Sequence, residues 1–276
     1  MLVIKNNLMS ETAGRYLAQS YDALAKSVER LSSGSRINGA QDDAAGLAVR
    51  ELMRSDVAVL KQGASNAQDA ISMLQTADGG MQVVDDALIR MKELAEQAST
   101  GSYSSTQRGI MNNEFQQMAS EIDRIANSTK FNGIGMLNSA SGSVTFHFGT
   151  GNVAANDEIS VSMVDVTKNR LFGAGGTSIA TQASASAALT TLDSAIAYKD
   201  VKRAQFGYMI NRLESTVSVL NIQEENMMSS ESRISDVDVA SEMGTLTRNQ
   251  VLAQAGTAML SQANSIPQMA LQLLKG

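Results

Sequence analysis

Residues 67–98 read AQDAISMLQTADGGMQVVDDALIRMKELAEQA. Within them Leu74, Ala77, Met81, Val84, Leu88, Met91, Ala95 and Ala98 alternate three and four residues apart without a break. A row kept in register over more than three heptads predicts a long helix packed against others in the manner of a coiled coil. Gly79-Gly80 interrupts the row with two poor helix formers, and a soft spot or kink is expected there. Downstream, Thr100-Gly101-Ser102 is a short polar connection. Met111, Phe115, Met118, Ile122 and Ile125 then repeat the spacing in a helix expected over about 105–126. So short a link predicts that this helix runs back antiparallel to the one before it. Upstream, a segment over about 42–60 opens with Asp42-Asp43, acids that complement the dipole at a helix N-terminus.

The two ends carry the same signature. In a helix expected over about 10–31, Leu17, Tyr21, Leu24, Val28 and Leu31 form one seam, and Gln19, Asp22, Lys26 and Glu29 lie off it. Ser32-Ser33-Gly34-Ser35 ends the pattern with turn chemistry. A helix expected over about 239–274 places Leu252, Ala255, Met259, Gln262, Ile266, Met269 and Leu273 on one seam, with Gln262 its polar member. Pro267 has no N–H to donate, which predicts a kink near Ile266. Neither end can bury its stripe alone, so the simplest arrangement buries the two together.

The pattern changes in the middle. Phe131-Asn132-Gly133-Ile134-Gly135 is punctuated by turn residues. Val144, Phe146 and Phe148 alternate with Thr145 and His147, and Ile159, Val161 and Met163 alternate with Ser160 and Ser162. These are period-two strand signals. Gly173-Ala174-Gly175-Gly176 and the Ser/Ala/Thr stretch to Ala187 read as a loop. Helix returns over about 189–228, with Phe206, Ile210, Leu213, Val217 and Leu220 on one row, before a polar break at 229–238. The fold class is therefore mainly α: a long antiparallel, coiled-coil-like helical bundle from both chain ends with a small central β-hairpin region. The expected division is 1–42 plus 239–276 as terminal helices. The rest, 43–238, is a rod-like helical domain with its β part near 131–187.

Composition supports long helices and argues against several functions. Among 276 residues there are 16 Met, one Pro and no Trp, and aromatics make up 4%. A net charge of -6 disfavours binding to a phosphate backbone, which needs clustered Lys and Arg. Without Cys there are no disulfides, thiolate nucleophiles or zinc–sulfur sites. No apolar run is long enough to span a membrane. The opening Met1-Leu2-Val3-Ile4-Lys5 is too short for a secretory signal, so export, if it occurs, is expected without a cleaved one.

Candidate chemistry is sparse. His147 is the single histidine and sits on the polar face of a strand, without the partners that a triad or metal site needs. Asp42-Asp43, Asp85-Asp86 and Glu224-Glu225 are adjacent on helices and so point in different directions; capping or a solvated face explains them. There is no phosphate loop, dinucleotide fingerprint or zinc-protease motif. Asn127-Ser128-Thr129 matches a glycosylation acceptor, a short pattern that occurs often by chance. No catalytic residue, metal or cofactor is expected. The Met and Leu stripes fit core and subunit contact better than a promiscuous peptide groove.

The run Leu31-Ser32-Ser33-Gly34-Ser35-Arg36-Ile37-Asn38-Gly39-Ala40-Gln41-Asp42-Asp43-Ala44-Ala45-Gly46-Leu47-Ala48 closely resembles the N-terminal signature of bacterial flagellin. The resemblance continues through Asn66–Ala70, Gln75–Gly79, Glu121–Ala126 and Thr129–Gly133. It resumes in Ser232-Arg233-Ile234-Ser235-Asp236-Val237-Asp238 and in Gln254–Thr257 and Gln262–Gln268. It implies that the first forty or so residues pair with the last forty or so as a filament-core domain, and that the large outer domains of longer flagellins are absent or vestigial. It implies partners as well: copies of the chain, hook-associated and cap proteins, and an export chaperone on the C-terminal helix. No nucleic acid or membrane partner is implied. Toll-like receptor 5 is a further implied partner, with Arg90, Leu94 and Glu114 matching the positions that contact it. Ile89, Lys92 and Glu96 depart from the best-recognised form. The location implied is extracellular.

Two other readings compete. A hook–filament junction protein shares the terminal-helix plan, but the signature around Asp42 and the short centre favour a filament subunit. A signalling coiled-coil adapter predicts no β insert and stable helical ends.

Overall fold

The computed structural model describes residues 6–139, 142–173 and 175–275. The opening Met1–Lys5, on which the export expectation rests, lies outside that set, as does Ala174. In chain order the elements are α1 (Leu8–Ser33), α2 (Ala44–Ser99), α3 (Ser105–Ser128), β1 (Lys130–Phe131), β2 (Ile134–Gly135), β3 (Ser143–His147), α4 (Ala154–Asp157), β4 (Glu158–Ser162), α5 (Lys168–Phe172), α6 (Gln182–Ser235) and α7 (Val239–Lys275). The chain divides into two compact units. One comprises the two terminal segments, up to Ser55 and from Asn226; the other spans Asp56–Glu225.

In the 56–225 unit the heptad row does what its spacing predicts. All eight of its side chains, from Leu74 to Ala98, are fully buried. Phe115, Ile122 and Ile125 of α3 and Leu192, Phe206, Leu213 and Leu220 of α6 complete the core. α3 begins with a capping box: the Ser104 hydroxyl accepts from the Gln107 N–H, and the Gln107 side chain accepts from the Ser104 N–H.

An ion-pair ladder joins α2 to α6. Asp78, Asp85 and Lys92, one heptad apart, meet Arg203, Lys199 and Asp193 in antiparallel order. A one-heptad slip would set Lys92 against Lys199 or Asp85 against Asp193, so the ladder selects one register. The Lys199 side chain is 2% exposed and also reaches Asp200 at 2.8 Å. A buried ammonium of this kind persists only because it is paired.

The β part has two hairpins. β1 and β2 close through Asn132 (φ 49) and Gly133 (φ 81), the left-handed pair that a two-residue turn requires. β3 and β4 pair antiparallel with Val144 opposite Val161 and Phe146 opposite Ile159. Ile159 and Val161 face inward, while His147 ends β3 on the exposed face, with Nε2 3.0 Å from the Gly151 carbonyl.

Three expectations need correction. The two helices expected over 42–60 and 67–98 are one, because no proline intervenes and buried Gly63 and Ala64 pack where the link was expected. α6 starts at Gln182, inside the expected loop. Thr181 Oγ1 accepts from the Ser184 N–H, and Ala185 and Ala188 are fully buried, which outweighs the weak propensity of Ser and Thr. α6 also runs on to Ser235, so the polar break is only 236–238. Gly79-Gly80 lies within the unbroken α2, and its two glycines differ in surroundings. A Cβ on Gly80 would lie 2.7 Å from Thr129 Oγ1 and 2.8 Å from Leu137 Cδ1, so Gly80 is where the β part seats on α2. Gly79 has open space around it. Pro267 lies inside α7, which continues to Lys275 as the expected span to about 274 implies.

Candidate functional site

The terminal unit is built on α1 and α7. Asn7 caps α1 by accepting from the Ser10 N–H, and Gly34 ends it in the left-handed conformation. Asp238 caps α7, accepting from the N–H groups of Ala240 and Ser241. The helices lie antiparallel: Asn7 Nδ2 donates to the Ala263 carbonyl, Leu17 packs on Gly256, and Arg30 approaches Glu242 at 3.7 Å. The two ends do therefore meet.

They meet through small residues. Ser27, Ala253 and Ala263 are buried, and a Cβ on Gly256 would lie 3.0 Å from Leu17 Cδ1. Small side chains let the two backbones approach closely and leave no room for large ones between them.

The predicted seam residues are divided by this geometry. Leu17, Leu24 and Leu31 are half-buried on α1, and Ile266 is half-buried on α7. Tyr21 and Val28 are each 50% exposed, Ala255 and Met269 are exposed, and Met259 is 64% exposed. Leu252 is exposed as well. The side chain of Leu273 is outside the described set. Leu8, Met9, Tyr16, Val239, Met243 and Val251 are further exposed apolar residues of the pair that the seam reading missed. Their signal was available: apolar residues on several sides of a helix mean contacts on several sides.

Apolar grooves flank the pair. One, of about 640 Å³, is lined by Tyr16, Leu17, Leu252, Ala255 and Met259 among others. A second, on Tyr21, Leu24, Val28 and Leu246, measures about 410 Å³.

The segments that leave α1 and enter α7 also join. Ser35 and Asp236 form an isolated antiparallel bridge. The Arg36 N–H donates to the Ser235 carbonyl at 2.6 Å, its guanidinium donates to the Ile234 carbonyl, and the Val237 N–H donates to the Gly34 carbonyl. Arg50 Nη1 donates to the carbonyl of buried Ile37. Of the paired acids, Asp43 caps α2 through the Gly46 N–H. Asp42 instead binds Lys26 at 2.6 Å and the Asn38 N–H. The hydrogen bond from Lys26, and then that from Asn38, holds its carboxyl below the usual carboxylate range.

The three positions matched to receptor contact are not equivalent. Arg90 Nη2 lies 2.8 Å from Glu114 Oε1 and Nη1 lies 3.0 Å from Glu93 Oε2, all on the surface. Glu114 first, then Glu93, holds the Arg90 guanidinium above its ordinary value. Leu94 faces the core and is 2% exposed.

Residues 4–141 match the bacterial flagellin N-terminal helical region, and residues 189–274 match the bacterial flagellin C-terminal helical region. The chain belongs to the flagellin family. Flagellin FlaB2 of Treponema pallidum is 39% identical over 99% of this chain and the whole of that relative. A flagellin of Halalkalibacterium halodurans is 39% identical over the same shares. Among solved structures, Bacillus cereus flagellin is 30% identical, covering 60% of this chain and 94% of its own, with a TM-score of 0.51. A putative flagellar hook-associated protein from Vibrio parahaemolyticus shares the fold alone, at 13% identity and a TM-score of 0.60. This flagellin is thus a short form without large outer domains. It is a structural subunit that polymerises into the extracellular flagellar filament, and its family is not enzymatic. The segments joined at Ser35 and Asp236 are two of the stretches that carried the resemblance to flagellin.

Proposed function

We propose that the exposed apolar rows of α1 and α7 are the surfaces that neighbouring flagellin subunits cover in the filament. Leu8, Met9, Tyr16, Tyr21, Val28, Leu252, Met259 and Met269, all at least half exposed, support this reading. Covering the exposed half of a Leu or Met contributes roughly 1 kcal/mol, and association costs on the order of 4–15 kcal/mol, so the many such residues are needed together. Residues 1–42 with 239–276 then form the filament core, and 43–238 a rod-like helical domain. In the free subunit the terminal pair buries little beyond small residues, so it frays and becomes fully ordered only on assembly. Until then a cytoplasmic chaperone covers α7, and export proceeds without a cleaved signal. At the filament ends, hook-associated and cap proteins meet the same terminal helices. Arg90 and Glu114 are available to Toll-like receptor 5, whereas buried Leu94 would act by supporting the helix surface. Limited proteolysis of the free subunit, followed by electron microscopy under salting-out conditions, tests the main reading. Trimming of both ends, with long filaments from intact protein only, is expected. A protease-resistant monomer that never polymerises would overturn it.

A further inference from the structure

The most buried and the most exposed of the described methionines fall in different units, while Met111, Met118, Met163 and Met209 of the 56–225 unit and Met53 and Met227 of the terminal unit are half-buried. Met73, Met81, Met91 and Met136, in the 56–225 unit, are essentially inaccessible. Met9, Met228, Met243, Met259 and Met269, at 46–67% exposure, all belong to the terminal unit. Two of them share a site. Met9 at 67% exposure and Met259 at 64% line one groove with Leu8, Ala263 and Ile266. Gln262 lines it too and carries hydrogen-bond donors.

We infer that Met9 and Met259 form an oxidation site of the free subunit, and that converting them to sulfoxides stops the subunit from joining a filament. The oxidant class is a peroxide. The thioether sulfur attacks one peroxide oxygen, the S–O bond forms as the O–O bond breaks, and the departing hydroxide takes the remaining proton to become water. The sulfur loses two electrons, which the peroxide gains. A flexible apolar side chain becomes polar and chiral. In the open groove the new oxygen is solvated or bonded by Gln262. Against an apolar neighbour it has to be desolvated, so the modification penalises assembly while leaving the monomer fold alone. Met73, Met81, Met91 and Met136 escape because peroxide cannot reach them.

The effect on assembly rests on the proposed use of this surface. The test treats soluble full-length subunit with hydrogen peroxide, maps sulfoxides by peptide mass spectrometry, and measures elongation from filament seeds. Met9 and Met259 should convert well before Met81, Met91 and Met136. The critical concentration should rise by about tenfold or more. In the double variant Met9→Leu/Met259→Leu the rise that peroxide causes, each protein being measured against its own untreated form, should be clearly smaller than in the wild type, and an equal rise would overturn the inference. Conversion of Met9 and Met259 no faster than Met81, or an oxidised subunit with an unchanged critical concentration, would overturn the inference. Met259→Gln, polar without any oxidant, separates the two levels. A normal critical concentration for that variant removes the interface reading. A raised one, with oxidised wild type unaffected, removes only the oxidation inference.

Discussion

Leu88 and Met259 occupy equivalent places in two rows of equally regular spacing, yet Leu88 is fully buried and Met259 is 64% exposed. The first row lies in α2 of the 56–225 unit, where α3 and α6 supply enough neighbours to enclose it. The second lies in α7, whose partner α1 meets it through Ser27, Ala253, Gly256 and Ala263 and leaves the large side chains on the flanks. A heptad pattern states that a helix seeks neighbours. Whether they come from the same chain depends on how many helices that chain brings to the site.

The contrast can be broken or sharpened by substitution. The largest effect is expected for Leu88→Ala, which should cost the 56–225 unit about 2–5 kcal/mol in chemical denaturation. A loss under about 1 kcal/mol would mean that the row is less tightly enclosed than Leu88 indicates. Next, Gly80→Ala should cost about 1–3 kcal/mol, because Thr129 and Leu137 must move away from the new methyl. Its neighbour provides the control: Gly79→Ala meets nothing and should stabilise by about 0.5–1 kcal/mol. Equal effects at the two glycines would refute the seating of the β part at Gly80.

Met259→Ala should change the stability of the free subunit by less than about 0.5 kcal/mol while sharply reducing elongation from seeds. A clear fall in monomer melting temperature would show that the monomer already uses this side chain. The smallest effect concerns pH. Asp42 has a lowered pKa in the folded state, so its contribution is fully present above the unfolded value of about 4 and is lost as pH falls through the folded one. Asp42→Asn should flatten the acid limb of terminal-unit stability measured by circular dichroism. An unchanged limb would show that the Lys26 pair contributes nothing there.

Much of the fold was legible because helical periodicity is a local property. The row from Leu74 to Ala98, the row from Phe206 to Leu220, and the strands around Val144 and Ile159 were each readable from spacing alone. Boundaries failed where burial outvoted local preference, as at Gln182 and across 61–66. Asp85 read as a solvated acid because its partner Lys199 is more than a hundred residues away. Leu94 could be matched by position, but its burial is a property of the packed helix.

By itself the sequence determined where the long helices lie, which residues share their rows, and, through its signature segments, the family to which the chain belongs. Only the tertiary structure decided which rows are enclosed, that Ser35 meets Asp236, and that small residues rather than large ones join α1 to α7. The reason is geometric. Spacing along a helix fixes directions around its own axis, but the partner, its distance and the register of charges such as Lys199 and Asp85 depend on chain segments far away in sequence.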